Sequence, residues 1–143
     1  MSVSLGTPRP VGARIVNLSN SGQAVRCARR AVSVHLARLG CLKDPGGERS
    51  EQAETALLVV SELVTNACRH TPGPEHLAMT LHDGYLVLEV GDRSRTAPFL
   101  VPPEERGSCG GFGLGLVTSL VDDWTVVTTG GGKTIRVTLS MGL

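Results

Sequence analysis

Glu62 and Asn66 stand four residues apart in the run Ser61-Glu62-Leu63-Val64-Thr65-Asn66-Ala67-Cys68-Arg69-His70, and their types and spacing point to chemistry. Four residues is about one helical turn, so both side chains share a face while Leu58, Leu63 and Ala67 can point elsewhere. A carboxylate there can take a proton from an attacking hydroxyl, and a carboxamide can lend a neutral oxygen to a hard cation. That is equipment for phosphoryl transfer. Polar residues at this spacing also make an ordinary solvated helix face, and the segment by itself leaves both readings open.

Two further features suit the same chemistry. Gly111, Gly113 and Gly115 stand at the expected entrance of a helix, where small residues let backbone N–H groups approach an anion and the helix dipole adds favourable potential. The same glycines would also serve as a hinge for tight helix packing. Asp92, at the end of an expected strand, is a fixed acceptor able to read the amino group of adenine, or else a plain strand-end turn residue. As a reader it disfavours guanine, whose carbonyl would face the carboxylate with no proton between them.

Two look-alike motifs fail on context. Gly130-Gly131-Gly132-Lys133-Thr134 imitates the end of a P-loop, but Val127 stands where the first glycine belongs, and a strand follows where a helix is needed. Gly111-Phe112-Gly113-Leu114-Gly115 imitates a dinucleotide fingerprint, but a proline-containing loop precedes it instead of a strand.

The elements that must position these residues follow from periodicity. Residues 1–10 carry Ser, Gly and two prolines without a pattern and read as a flexible tail, with one domain over 11–143. Val11 to Leu18 is an expected strand, and Ser19-Asn20-Ser21-Gly22 offers N-cap candidates for a helix with Val25, Ala28, Val32, Leu36 and Leu39 on one stripe and Gly40 as its stop. Ser50 can cap a second helix that carries Glu51 and Glu54 in its first turn and runs to about Arg69, where His70-Thr71-Pro72-Gly73-Pro74 ends it. Leu77, Met79 and Leu81 alternate before Asp83-Gly84, and Leu86, Leu88 and Val90 after it, a hairpin signal. Residues 93–110, with Pro98, Pro102 and Pro103 and no periodicity, read as a lid loop over the site. Leu114 to Asp123 reads as a third helix. Trp124 to Thr129 and Ile135 to Ser140 read as a second hairpin across the glycines. Antiparallel pairs with helices between them predict an α+β fold, a two-layer sandwich whose mixed, mostly antiparallel sheet carries three helices on one face.

Composition narrows the function classes. At 143 residues the chain holds one full core, and 41% hydrophobic against 19% charged residues suits a folded domain. The net charge of +1, with Lys and Arg scattered, disfavours nucleic acid or an anionic membrane as partner. Aromatic residues at 3% also disfavour a base-stacking surface. Cys27, Cys41, Cys68 and Cys109 form no C-x-x-C pair and no zinc spacing with the histidines, and no signal peptide is recognisable at the N-terminus, so free thiols in a reducing cytoplasm are expected.

Taken in order, Glu62-x-x-x-Asn66, then Asp92, then Gly111-x-Gly113-x-Gly115, the chain resembles the GHKL ATPases of the Bergerat fold, the family of gyrase, MutL and the histidine kinases, from Val11 to the C-terminus. The wording Glu62-Leu63-Val64-Thr65-Asn66-Ala67 resembles the bacterial anti-sigma factor serine kinases within that family. The resemblance implies a protein that binds ATP with magnesium: Glu62 as general base, Asn66 as the magnesium ligand, Asp92 as the adenine reader, Gly111, Gly113 and Gly115 as the phosphate cradle, and Thr134 near the adenine. It also implies a sigma factor and an anti-sigma-factor antagonist-like protein as partners, and a homodimer. Ser94 and Thr96 stand where the family usually has glycines, and Phe112 stands where many close relatives carry Arg.

Overall fold

The computed structural model describes residues 11–19, 22–93 and 113–142. In chain order the elements are β1 (Val11–Asn17), α1 (Ala24–Arg38), α2 (Glu51–His70), β2 (Pro74–His82), β3 (Tyr85–Asp92), α3 (Gly113–Leu120), β4 (Asp123–Thr129) and β5 (Gly132–Ser140). The strands form one sheet in the order β1-β2-β3-β5-β4. Every pairing in it is antiparallel, so the expected mixed sheet is wholly antiparallel among the described strands. The α+β architecture is as the sequence predicts. The tail at 1–10 and most of the expected lid lie outside the described residues.

α2 organises the core because its sequence supplies both a start and a stripe. Ser50 caps it, accepting from the Ala53 N–H at 3.1 Å, and Glu51 and Glu54 sit in the first turn where the dipole favours negative charge. Ala56, Leu57, Val60, Leu63, Val64 and Ala67 recur at helical spacing and are buried. Burying each larger side chain is worth about 1.5–3 kcal/mol, which fixes the rotation of α2 against the sheet. α1 packs on one side of α2 and α3 also packs against it. Below them lie Leu77, Met79, Leu86, Leu88, Val90, Ile135, Val137 and Leu139, alternate residues on one face of the three central strands.

The β2–β3 turn has two residues, Asp83 and Gly84, both with positive φ (51° and 80°), the conformation a tight hairpin of this hand requires. Three expected boundaries move. α1 starts after Gln23, which makes no side-chain cap bond, instead of at one of the offered Ser or Asn caps. α3 ends at Leu120 and not at Asp123, because Asp122 already belongs to the sheet: its N–H donates to the Thr138 carbonyl at 2.9 Å and its carboxylate accepts from the Ser140 N–H at 2.6 Å. β5 starts at Gly132, three residues before the expected Ile135, so Lys133 and Thr134 join the ladder.

Among the described residues no helix is long and apolar enough to cross a membrane. Cys27, Cys41 and Cys68 are free thiols. Burial raises the pKa of Cys41.

Candidate functional site

At about 100° per residue, Glu62 and Asn66 fall within about 40° of each other on α2, at one border of its buried stripe. Both are half-buried. Ser61 falls at the opposite border, where Arg29 of α1 donates to its hydroxyl at 2.7 Å and to the Leu57 carbonyl at 3.3 Å. The α1 contact therefore takes one border of α2 and leaves Glu62 and Asn66 on the other, and α3 also packs against α2. Gly113 opens α3 and Gly115 lies in its first turn, where Thr118 bonds back to the Gly115 carbonyl at 3.0 Å. Gly111 lies outside the described residues, as do Ser94, Thr96, Cys109 and Phe112.

Asp92 ends β3 and is 3% exposed. Directly across the ladder stands Lys133, the second residue of β5 and 4% exposed. Its ammonium donates to both carboxylate oxygens, at 3.1 Å and 2.9 Å. A lysine is rarely this buried unless paired, and here the pairing is bidentate. Lys133 escapes a reading that begins the strand at Ile135. The signal was nonetheless present: Lys133, Ile135, Val137 and Leu139 keep period two, so the lysine occupies the buried row.

Thr134 pairs with Gly91 in the ladder, and alternation turns it to the face opposite Asp92 and Lys133. Of the two neighbours, the structure thus brings Lys133 and not Thr134 to the Asp92 carboxylate. The end of the sheet is also tightly drawn together. His76 pairs with Gly91, and any side chain at Gly91 would run into the imidazole, with Nδ1 only 2.7 Å from a Cβ there. Arg93, just past Asp92, donates from Nε to Glu75 at 3.0 Å.

A polar cleft of about 330 Å³ opens where α2 ends and β2 begins. Its described lining, Leu18, Ser19, Cys68, Pro72, Gly73, Pro74 and Arg93, contains none of the predicted site residues. Among the described residues no group of three or more His, Cys, Asp or Glu could hold a metal ion. The arrangement available for chemistry is therefore a half-buried carboxylate and carboxamide on the border of α2 away from α1, a glycine-bearing entrance to α3, which packs on α2, and a buried ion pair at the end of the sheet.

Residues 18–139 match the family model of the histidine kinase-like ATPase domain. No curated protein matches the chain. Among solved structures, the RsbU and RsbW domains of a Mycobacterium tuberculosis protein share its fold with a TM-score of 0.61 and 23% identity, over 90% of this chain and 31% of that one. The histidine kinase domain of a blue-light activated kinase from Erythrobacter litoralis gives a TM-score of 0.50 and 22% identity, over 89% and 62% of the two chains. The chain thus spans less than two thirds of the length of either structure.

Proposed function

The chain belongs to the histidine kinase-like ATPase family, and from that premise we propose that it is an ATP-binding regulatory protein: a magnesium-dependent serine/threonine kinase that acts on a small partner protein and sequesters a sigma factor. The observation that carries this reading is that Glu62 and Asn66 share the border of α2 away from Arg29 of α1, while α3, with Gly113 and Gly115 in its first turn, also packs against α2.

Phosphoryl transfer asks little covalent chemistry of a protein and much positioning. Magnesium, when bound, neutralises charge on the phosphates. Asn66 suits that ion as a neutral oxygen donor. With no carboxylate cluster among the described residues, the remaining ligands fall to phosphate and water, as is usual for this ion. Glu62 accepts the proton of the incoming serine hydroxyl. Asp92 receives the base, and Gly111, Gly113 and Gly115 leave room for phosphate against the backbone of α3. A protein of this fold that carries an RsbW domain with an RsbU domain supports a setting of protein-on-protein regulation, in which a sigma factor and an antagonist-like protein are the partners and a homodimer the working form.

A second reading, a non-catalytic module that holds nucleotide or only a partner protein, is favoured by Ser94 and Thr96 at positions the family usually fills with glycine. One experiment separates the two. Calorimetric titration with ATP and magnesium is followed by radiolabel transfer from ATP to candidate partner proteins of the same organism. Heat of binding and a labelled serine or threonine support the kinase. A protein that binds ATP and captures a partner but labels nothing is a binding module.

A further inference from the structure

α1 carries four arginines, Arg26, Arg29, Arg30 and Arg38, and no acidic residue. Among the described residues no carboxylate pairs with any of them, although Arg49, Arg93 and Arg136 each have one. Arg26 donates to the Gln23 side chain at 3.5 Å, and Arg29 to the Ser61 hydroxyl and the Leu57 carbonyl, all uncharged acceptors. Arg26 also stands in the first turn, where the helix dipole disfavours a cation. At about 100° per residue, Arg26, Arg29 and Arg30 fall within an arc of about 100°, and all three are exposed. Like charges gathered on one helix face, against the dipole and without an internal counter-charge, break a local rule of stability, and such breaks mark function.

Beside this face two hollows open, both lined by residues of α1 and α2. One of about 480 Å³ includes Val25, Arg26, Arg29 and Cys68. The other, of about 320 Å³, includes Arg29, Leu57 and Leu58. Leu58 is a large apolar side chain left 39% exposed. On α2 the lining runs from Glu54 to Cys68, about 20 Å at about 1.5 Å per residue, the length of about four helical turns.

We infer that this crevice between α1 and α2 docks a partner protein through an acidic amphipathic segment, whose apolar side chains fill the hollows while its carboxylates meet Arg26, Arg29 and Arg30. The inference rests on the reading that the chain acts on a partner protein, and it gives that partner a place and a chemistry. A guanidinium fork matches a carboxylate, and a helix laid in a groove needs apolar anchors between its charges. Nucleic acid would answer the arginines but not Leu58 and the hollows, and the net charge of +1 provides no wider basic field. The crevice lies on the Ser61 border of α2, so a docked segment leaves Glu62 and Asn66 uncovered.

The test is fluorescence anisotropy of the full chain without nucleotide. The probes are a synthetic peptide of about four helical turns, with leucines on one face flanked by glutamates, and its counterpart with lysines for the glutamates. The glutamate peptide should bind saturably and more weakly as salt rises, and the lysine peptide should not bind. Charge reversal of two exposed arginines, Arg26→Glu with Arg30→Glu, should weaken the glutamate peptide by about tenfold or more. Leu58→Ser should weaken it as well, whereas Arg38→Gln, on another face of α1, should bind as the wild type does. Equal binding of the two peptides overturns the inference, and so does full affinity in the double variant. Displacement of the peptide by an oligonucleotide of equal charge would make the face a general anion patch, and self-association lost in the double variant would make a second copy the occupant; either result also overturns it. Should circular dichroism show the double variant unfolded, the preference of the wild type between the two peptides decides. Failure of the peptide leaves nucleotide binding untouched, and failure to bind ATP leaves the peptide result standing.

Discussion

Gly132 lies against the main chain of Asp92: a methyl group on its Cα would strike the Asp92 carbonyl oxygen and come within 2.9 Å of the Arg93 Cα. Both obstacles are backbone, so neither can turn aside. Gly132→Ala should therefore push the start of β5 away from the end of β3 and lower stability by about 1–3 kcal/mol, the usual range for overpacking. Urea denaturation measures this directly. ATP affinity should fall with it, because Asp92, the proposed reader of the base, is the residue whose backbone is displaced.

Asp92→Ala removes an acceptor from a buried site and should weaken ATP by about 1–3 kcal/mol. It also leaves the Lys133 ammonium buried without its carboxylate, a defect that typically costs about 3–5 kcal/mol of stability. Lost binding and a lowered melting temperature are thus expected together. A variant that loses ATP yet melts like the wild type would mean that the ion pair contributes little to the fold.

Glu62→Ala and Asn66→Ala should part company although the two residues are one turn apart. Loss of a positioned general base costs about a hundredfold to ten-thousandfold in rate without touching ground-state nucleotide. Glu62→Ala should accordingly bind ATP normally and transfer no label. Asn66→Ala should lose magnesium-dependent binding and transfer together. Titration with and without magnesium, paired with a transfer assay, reads both.

What the sequence revealed and what it hid have physical causes. α2 was legible at both ends because Ser50, Glu51 and Glu54 mark its start and Pro72 closes it, signals local to the chain. Asp83-Gly84 was legible for the same reason, since the turn needs positive φ at both residues. The end of α3 was hidden because Asp122 is recruited by Thr138 and Ser140, partners sixteen and more residues away. The start of β5 was hidden because three successive glycines look like a turn, while the reason for Gly132 is the backbone of β3, which no local pattern reveals. Lys133 follows that glycine run directly, although its place in the alternating row with Ile135 is readable. Thr134 stands in the same ladder on the face opposite Asp92, a one-residue question that only the register of β5 answers.

Ser50 ties α2 to the chain before it in two ways, accepting from the Ala53 N–H at 3.1 Å and donating to the Cys41 carbonyl at 3.2 Å. Ser50→Ala should cost about 1 kcal/mol of stability. Hydrogen exchange should quicken in the first turn of α2 while the Asn66 end keeps its protection.

Cys41 is buried, and burial raises its thiol pKa above the ordinary value. The unfolded chain therefore loses this proton first as pH rises. Its contribution to stability is complete below the ordinary thiol range and declines as pH climbs from there toward the raised folded value. Peptide-level mass spectrometry after brief alkylation at mildly alkaline pH should find exposed Cys27 and Cys68 modified well before Cys41. Equal rates at all three would contradict the buried position.

The β3–β5 ladder runs without interruption from Tyr85–Ser140 to Asp92–Lys133. The chain that leaves β3 after Asp92 rejoins the sheet first as the edge strand β4 and then as β5, whose second residue closes the circuit with a bidentate ion pair to Asp92. Closing a flexible loop grows only logarithmically harder with length, by about 0.6 kcal/mol for each doubling. The stability of the sheet at Asp92 and Lys133 therefore depends only weakly on the length of the chain that this circuit contains.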